Sequence, residues 1–455
     1  MIKIEFHGAA KTVTGSNYIV RTPHADFFVD CGMFQGPDVE HRNLEEYSYN
    51  PADLDFGLLT HAHIDHSGML PKLYKGGFRG PIYATNHTIQ ISQLLLEDSG
   101  KIQENNFRRG EPYGKYTNKV AMVYNTFDSE QTNQLFKAVR FDEEFEPVPG
   151  IKIKYIIAGH VLGAASIEIE IDDEGTKKKI VFSGDIGRQK SPLIPTFDPN
   201  YKSEADYVVM ESLYGGKIHP NRDDNVREMI EIINKTLERG GNVFIPSFSV
   251  QRSQEILHDL KLAQDRGSLA KDQPVWLDSP LSQRVSYIYL TALQSTPENI
   301  FMFDSLKFVK QYRQSQGLTR KKGQIIIAGS GMADGGRILN HFEHGLPNRK
   351  NTVIFVGYQA EGTLGREIVD GAQEVVIGKT KVKVNADIHF FEGFSAHGDG
   401  EDYYIWLKRF ESPRLKKVFL VHAEEDRAED FDKTLDGKGI MNTYIPDWKE
   451  AVVLD

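Results

Sequence analysis

The stretch LLTHAHIDHSG, Leu58–Gly68, decides how the rest of the chain is read. A short apolar run ends at Thr60 and is followed at once by His61, His63, Asp65 and His66. A loop at the end of a strand can turn imidazoles and a carboxylate toward one point. Imidazole nitrogen and carboxylate oxygen are zinc ligands at about 2.0–2.2 Å. The chain holds 15 His in 455 residues, so three within six positions is a cluster and not scatter. Together with Asp65 they exceed what one four-coordinate ion needs once a water is included. That excess points to two metals close together.

Other apolar runs end in residues of the same kind. His160 closes IKIKYIIAGH, Asp185 closes KIVFSGD and His422 closes KKVFLVH. A buried sheet presents such residues at its rim, where they complete two coordination spheres. Asp30, at the end of DFFVD, fits as a supporting carboxylate, because metal-binding histidines usually hand their other N–H to such a group. Cys31 is the sole cysteine. It forms neither an internal disulfide nor a thiolate zinc site, so His and carboxylate must hold any metal. It reads as a small buried apolar residue.

Composition bounds the function. Hydrophobic residues make up 40% and charged residues 26%, as in globular proteins. No apolar run approaches the roughly 20 residues that span a bilayer. MIKIEFHGAA reads directly as a strand, without the marks of a targeting segment. The expectation is a cytoplasmic protein with no membrane partner. A net charge of −10 argues against non-specific coating of nucleic acid but leaves room for a local cationic cleft.

Short strands dominate the first part: IKIEFHG, NYIV, DFFVDCG, FGLLTHAH and PIYAT, then IKIKYIIAGH and a hairpin of ASIEIEID and KIVFSGD across DDEGTKK. HTIQISQLLLEDSGKIQ has helical spacing. Near residue 206 the pattern changes. ADYVVMES, GNVFIPSFS, PVWLDSP, GQIIIAGS and NTVIFVG read as strands, with helical stretches such as NVREMIEIINKTLERG and SQEILHDLKLAQ between some of them. Alternation of this kind predicts a parallel α/β unit. After about residue 391 come GFSAHGDG, a helical DYYIWLKRF and the strand KKVFLVHAEED.

HxHxDH with a later His, Asp and His resembles the metallo-β-lactamase superfamily. MESLYG at 210–215, GFSAHGD at 393–399 and LVHAEED at 420–426 resemble motifs A, B and C of its β-CASP branch of nucleic-acid-processing enzymes. NVFIPSFSVQRSQE, IIIAGSGMADGGRILNHF and FVGYQAEGTLG also look like that branch. The likeness covers nearly the whole chain. It lies near the stand-alone bacterial β-CASP ribonucleases and is similar to the endonuclease that cuts pre-mRNA 3′ ends.

The resemblance implies an αββα sandwich, residues 1–207 and 392–455, interrupted by a parallel α/β β-CASP domain, 208–391, with the active site in the cleft between them. It implies two Zn²⁺: His61, His63 and His160 on one, Asp65, His66 and His422 on the other, and Asp185 bridging. It makes His397 the general acid and Glu211 its orienting partner. It implies cleavage of single-stranded RNA by a hydroxide held between the ions, with Asp65 among the catalytic residues. Two Zn²⁺ with Asp65, Asp185 and that hydroxide leave about +1, enough to attract phosphate to an acidic chain.

Motif A has Leu213 where the branch commonly has Thr, and motif C has Ala423 where Gly commonly follows the His. GSGMADGGR, ending at Arg337, offers backbone N–H groups to phosphate through Ser330 and Gly331, or is simply a turn needing φ > 0. Ser395 and Arg252 are further phosphate candidates, Arg252 competing with a plain surface charge at a helix start. His7 reads as structural. A second copy of the chain stands as a candidate partner. DNA, a non-catalytic RNA-binding role and small-molecule ester hydrolysis are the competing readings. The first strand begins at Ile2 and nothing long follows His422, so the larger archaeal and RNase J-like arrangements are not expected.

Overall fold

The computed structural model describes residues 1–293 and 300–455. The chain divides into two compact units, Met1–Ile218 with His397–Asp455, and His219–Ala396.

The first unit is built on two seven-stranded sheets. In the first sheet the order is Glu450–Leu454, Ile2–Gly8, Asn17–Arg21, Asp26–Cys31, Phe56–Leu58, Ile82–Thr85 and Phe136–Val139. In the second it is Thr443–Tyr444, Lys417–Val421, Tyr207–Glu211, Thr176–Phe182, Ala165–Asp173, Ile151–Ile157 and Glu144–Val148. Alternation sets the facing. Ile2, Ile4 and Phe6 are fully buried while Lys3, Glu5 and His7 between them are only partly covered. IKIKYII repeats the pattern from the other sheet, burying Ile151, Ile153 and Tyr155.

The inward residues of both sheets form one core, in which Phe6 meets Phe419 at 5.2 Å and Tyr18 meets Phe182 at 5.7 Å between ring centroids. Helices cover the outer faces. Leu70, Leu73, Ile89 and Leu96 pack with Ile19, Phe28 and Ile82 on one side. Tyr403, Trp406, Leu407 and Phe431 pack with Val181, Val208 and Leu420 on the other. The result is the expected helix–sheet–sheet–helix sandwich.

The second unit carries a six-stranded, wholly parallel sheet in the order Leu306–Phe308, Val275–Asp278, Ile325–Ala328, Val243–Pro246, Thr352–Phe355 and Asp387–Phe390. Helices Arg222–Glu238, Arg252–Asp265, Pro280–Ala292 and Ile338–Gly345 alternate with its strands. No helix among the described residues is long and apolar enough to cross a membrane.

Two details differ from the sequence reading. Tyr207–Glu211, grouped there with the later strands, pairs in parallel between Thr176–Phe182 and Lys417–Val421 in the first unit. It is apolar on both faces because both are covered: Val209 enters the core between the sheets, Val208 and Met210 the outer one. Asp65 and His66 are not in open loop but in the short helix Ile64–Ser67, closed by Ser67 N–H to His63 O at 2.9 Å and Gly68 N–H to Ile64 O at 2.7 Å.

Phe6→Ala is expected to lower the unfolding free energy by about 3–5 kcal/mol, the usual cost of an aromatic-sized cavity. Urea titration checks it. A loss under about 1 kcal/mol would mean that the two sheets do not depend on this contact.

Candidate metal centre

Polar residues gather where strands of the two sheets end. His61 and His63 follow Phe56–Leu58, Asp30 lies at the end of Asp26–Cys31, and Asp185 and His422 follow strands of the second sheet. The seven sequence-predicted ligands all arrive here, in two groups. His61, His63, His160 and Asp185 offer ligand atoms within 4.8 Å of one another, as do Asp65, His66 and His422.

The detailed distances favour a cation. In the first group, His61 Nε2 lies 3.2 Å from His63 Nδ1 and 3.3 Å from Asp185 Oδ2. His160 Nε2 lies 3.1 Å from the same His63 nitrogen and 3.4 Å from the same Asp185 oxygen. A tetrahedral ion with ligands at about 2.0–2.1 Å separates its ligand atoms by about 3.3 Å. Asp185 Oδ1 faces the second group, 3.1 Å from His66 Nε2 and 3.5 Å from His422 Nε2, which is itself 3.5 Å from Asp65 Oδ2. One carboxylate thus gives an oxygen to each group. His422 Nε2 and Nδ1 are buried without a hydrogen-bond partner. Such atoms need an acceptor, a proton or a metal. The donor set fits two divalent ions.

Protonation divides the groups. Burial pushes His61, His63 and His160 below the ordinary imidazole value, His63 to about 3. Their nitrogens therefore keep the lone pairs that a metal needs. His66 and His422 go the other way: burial opposes their charge, but Asp185 together with Asp30 at His66, and together with Asp65 at His422, outweighs it and raises both.

Asp30 is placed to support His66. It accepts from His66 Nδ1 at 2.7 Å, from Thr60 N–H at 2.8 Å and from Thr60 Oγ1 at 2.7 Å. His397 Nδ1 lies 3.0 Å from Glu211 Oε2 and 3.9 Å from Asp185 Oδ2. Glu211 is 1% exposed and also accepts from Tyr403 Oη at 2.5 Å and from the Ile186 N–H. His397 keeps 20% of its side chain exposed, so one edge is open. Glu211, the Nδ1 partner, leaves Nε2 as the nitrogen that can meet a substrate. Burial works against charge on His397, yet Glu211 raises it to about 9.

Sequence reasoning missed Tyr403 and Thr60. Tyr403 has no motif of its own, and only its position in the helix after motif B hints at it. Thr60 adjoins the His cluster and reads as an ordinary strand end.

The four phosphate candidates lie in the second unit. Ser330 and Gly331 sit in the turn after Ile325–Ala328, where Ala333 and Gly336 have φ of 58° and 75°. The Ser330 hydroxyl is buried with no hydrogen-bond partner, and a Cβ at Gly331 would meet the Phe248 ring at 2.7 Å. Arg252 is 5% exposed and ion-paired with Glu255 at 2.6 Å, so it is no surface charge. Ser395 follows the turn Glu392–Phe394 and donates its N–H to Glu392 O at 3.2 Å. His7 is held by Glu5 and Ser48 at 3.1 Å each.

Three family profiles match in chain order: the metallo-beta-lactamase superfamily over residues 11–218, the Beta-Casp domain over 253–368, and the Zn-dependent metallo-hydrolase RNA specificity domain over 381–446. The chain belongs to the β-CASP ribonuclease family of the metallo-β-lactamase superfamily and is a metal-dependent nuclease of that class. It is 35% identical to Ribonuclease TTHA0252 of Thermus thermophilus over 95% of each chain. It is 30% identical to Transcription termination factor FttA of Methanocaldococcus jannaschii over 98% of this chain and 70% of that protein. It is also 31% identical to an RNase J-like protein of the same organism over 98% of each. The contrast drawn from the sequence with RNase J-like arrangements does not hold for that relative. A crystal structure of a protein of unknown function from Enterococcus faecalis shares the fold, with a TM-score of 0.56 at 14% identity over the full length of both chains.

Metal titration of the stripped protein should show two steps with different proton release. Ions entering His61, His63 and His160 find neutral nitrogens. Ions entering at His66 and His422 must displace protons. Calorimetry in buffers of different ionisation enthalpy measures this, and equal proton release at the two steps would contradict the assignment.

Proposed function

We propose that this protein is a two-zinc ribonuclease that hydrolyses single-stranded RNA, with His397 as general acid. One observation carries the reading: a histidine that touches Asp185, keeps an open edge and is tied through Nδ1 to a buried carboxylate. When bound, two zinc ions stabilise charge on the scissile phosphate and lower the pKa of water enough to give a nucleophile at neutral pH.

The remaining work falls to side chains. His61, His63 and His160 would hold one ion, Asp65, His66 and His422 the other, with Asp185 within reach of both. Asp30 fixes the ring of His66. The leaving alkoxide needs a proton, and Nε2 of His397 supplies it. Glu211 stabilises the imidazolium that results from reprotonation, as the carboxylate does in a catalytic triad. RNA is favoured over DNA by the RNA specificity domain matched over 381–446 and by the ribonuclease names of the relatives. Ser330, Gly331, Ser395 and Arg252, all in the second unit, His219–Ala396, are the residues offered to the substrate phosphates. We place the enzyme in the cytoplasm, acting alone or as a homodimer.

RNA labelled at either end, incubated with and without chelator beside a matched DNA, tests the core claim. Chelator-sensitive cutting of RNA is expected, and product lengths separate internal from 5′-end cleavage. Failure to cut either polymer would end the proposal.

His397→Ala should keep its zinc and lose about 10²–10⁴-fold in turnover. Unchanged turnover would remove the acid from His397.

The pH profile has a definite sign. The acid works only while His397 is protonated, so turnover falls as pH rises through its pKa. Glu211→Gln removes the charge that raises that pKa, and the alkaline limb should move to lower pH. A limb that stays in place would show that Glu211 does not act through His397.

A further inference from the structure

Beside the ligand cluster a pocket opens on the first unit, lined among others by His7, Phe34, Arg42, Lys72, Trp448 and Lys449. Its cations are held in an unusual way. The Arg42 guanidinium lies 4.0 Å from the centroid of the Trp448 ring and 5.5 Å from that of Phe34. The Lys449 ammonium packs 3.9 Å from the same Trp448 ring, and that of Lys72 lies 4.7 Å from Tyr47.

Aromatic faces attract cations without neutralising them. Nε and Nη1 of Arg42 are buried and have no hydrogen-bond partner. Lys72 donates to the Asn43 and Glu45 carbonyls. Glu45 and Glu46 also line the pocket, and Glu45 pairs with Lys449 at 3.4 Å, both side chains being 40% exposed. Cations outnumber carboxylates three to two in the lining. Two guanidinium nitrogens without an acceptor are a poor end state for a half-buried Arg42, and an anion entering past the exposed Lys449 and Glu46 would supply one.

The place of the pocket matters as much as its charge. Ile2–Gly8, Asp26–Cys31 and Phe56–Leu58 run in one direction, since Asn17–Arg21 is antiparallel to the first two and the last two are parallel. Their ends therefore share one rim. Gly32, which also lines the pocket, packs against the Asp65 backbone, and the Met33 N–H donates to Ile64 O at 2.9 Å. Trp448 is pinned to this rim by its indole N–H, which donates to His7 O at 3.0 Å. The pocket and the ligand cluster are neighbours along one edge of the sandwich.

We infer that this pocket is a second phosphate-binding site, which takes a backbone phosphate of the RNA strand beyond the scissile bond. The inference rests on the ribonuclease reading. A free phosphate or mononucleotide carries the same chemistry, and the experiment separates the sources.

Zinc-loaded wild type, Arg42→Gln and Lys449→Gln are compared on a short RNA that covers only the cleavage site and a long one that extends past it. The wild type should prefer the long RNA by KM. Each substitution should cut that preference about tenfold with little change in kcat for the long RNA, and lower the salt slope of log K by about one, as loss of one phosphate contact does. Trp276 and Trp406 are buried while Trp448 is partly open, so long RNA should also perturb tryptophan emission in the wild type and less in Arg42→Gln. Lys449 is exposed, which keeps its variant free of folding effects, and melting temperature and zinc content check Arg42→Gln.

Length preference and salt slope unchanged in both variants would overturn the inference. So would an emission change with inorganic phosphate alone and no effect of RNA length, which would mark a free-phosphate site. A wild type that cuts no RNA at all would instead strike the reading beneath it.

Discussion

The site depends on the Asp185 carboxylate. It is 2% exposed and lies 3.1–3.5 Å from ring nitrogens of His61, His66, His160 and His422. A charge at that depth persists only when cations surround it. Asp185 follows a strand of the second sheet, whereas His61 and His66 follow a strand of the first. The carboxylate therefore joins the two layers, and its distances are set by how Phe6, Tyr18, Phe182 and Phe419 pack between them. Because the interior is close-packed, a slip of one sheet against the other would pull the two ligand groups apart. The carboxylates raise His66 and His422 toward their charged forms, so folding and metal uptake draw on the same groups.

Backbone conformation at the rim serves the same end. Asp30, Ala9 and His422 have φ of 57°, 50° and 58°, a region costly for residues with a side chain. They are tied to their surroundings. Asp30 holds Thr60 and His66, and the His422 N–H donates to Ala9 O at 2.7 Å. Gly187 is needed for another reason: a Cβ there would fall 1.9 Å from Gly159 O, where the chain after Asp185 crosses the chain before His160. These positions let strands of both sheets point side chains at one place.

Most of this was legible because the informative residues are few and chemically distinct. Histidine and aspartate at the ends of apolar runs are conspicuous, and their order along the chain carried the resemblance. What the sequence could not convey was packing. ADYVVMES looks like any buried parallel strand, and only its neighbours show that it belongs with the first unit. Arg252 reads as a surface charge at a helix start, but its partner Glu255 lies one turn on and both are buried. The motif departures also resolve in packing. The positive φ falls on His422 itself, and Ala423 is 1% exposed within the outer core. Leu213 is buried as well. Neither is among the residues that face Asp185.

In the proposed two-zinc site the pair His397–Glu211 would answer a problem the metals create: an imidazole beside two divalent cations would tend to lose its proton, since like charges disfavour the protonated form. In the proposed reaction it must keep that proton until the leaving oxygen takes it. A carboxylate on Nδ1 restores the balance, provided it stays in place and stays ionised. Glu211 meets both conditions. Its strand is fixed by parallel pairing on both sides, and its oxygens accept from Tyr403, Ile186 and His397. Tyr403 and His397 share one Glu211 oxygen, so the tyrosine takes part of its negative charge. The proposed acid would then be set by three groups, of which the motifs named two.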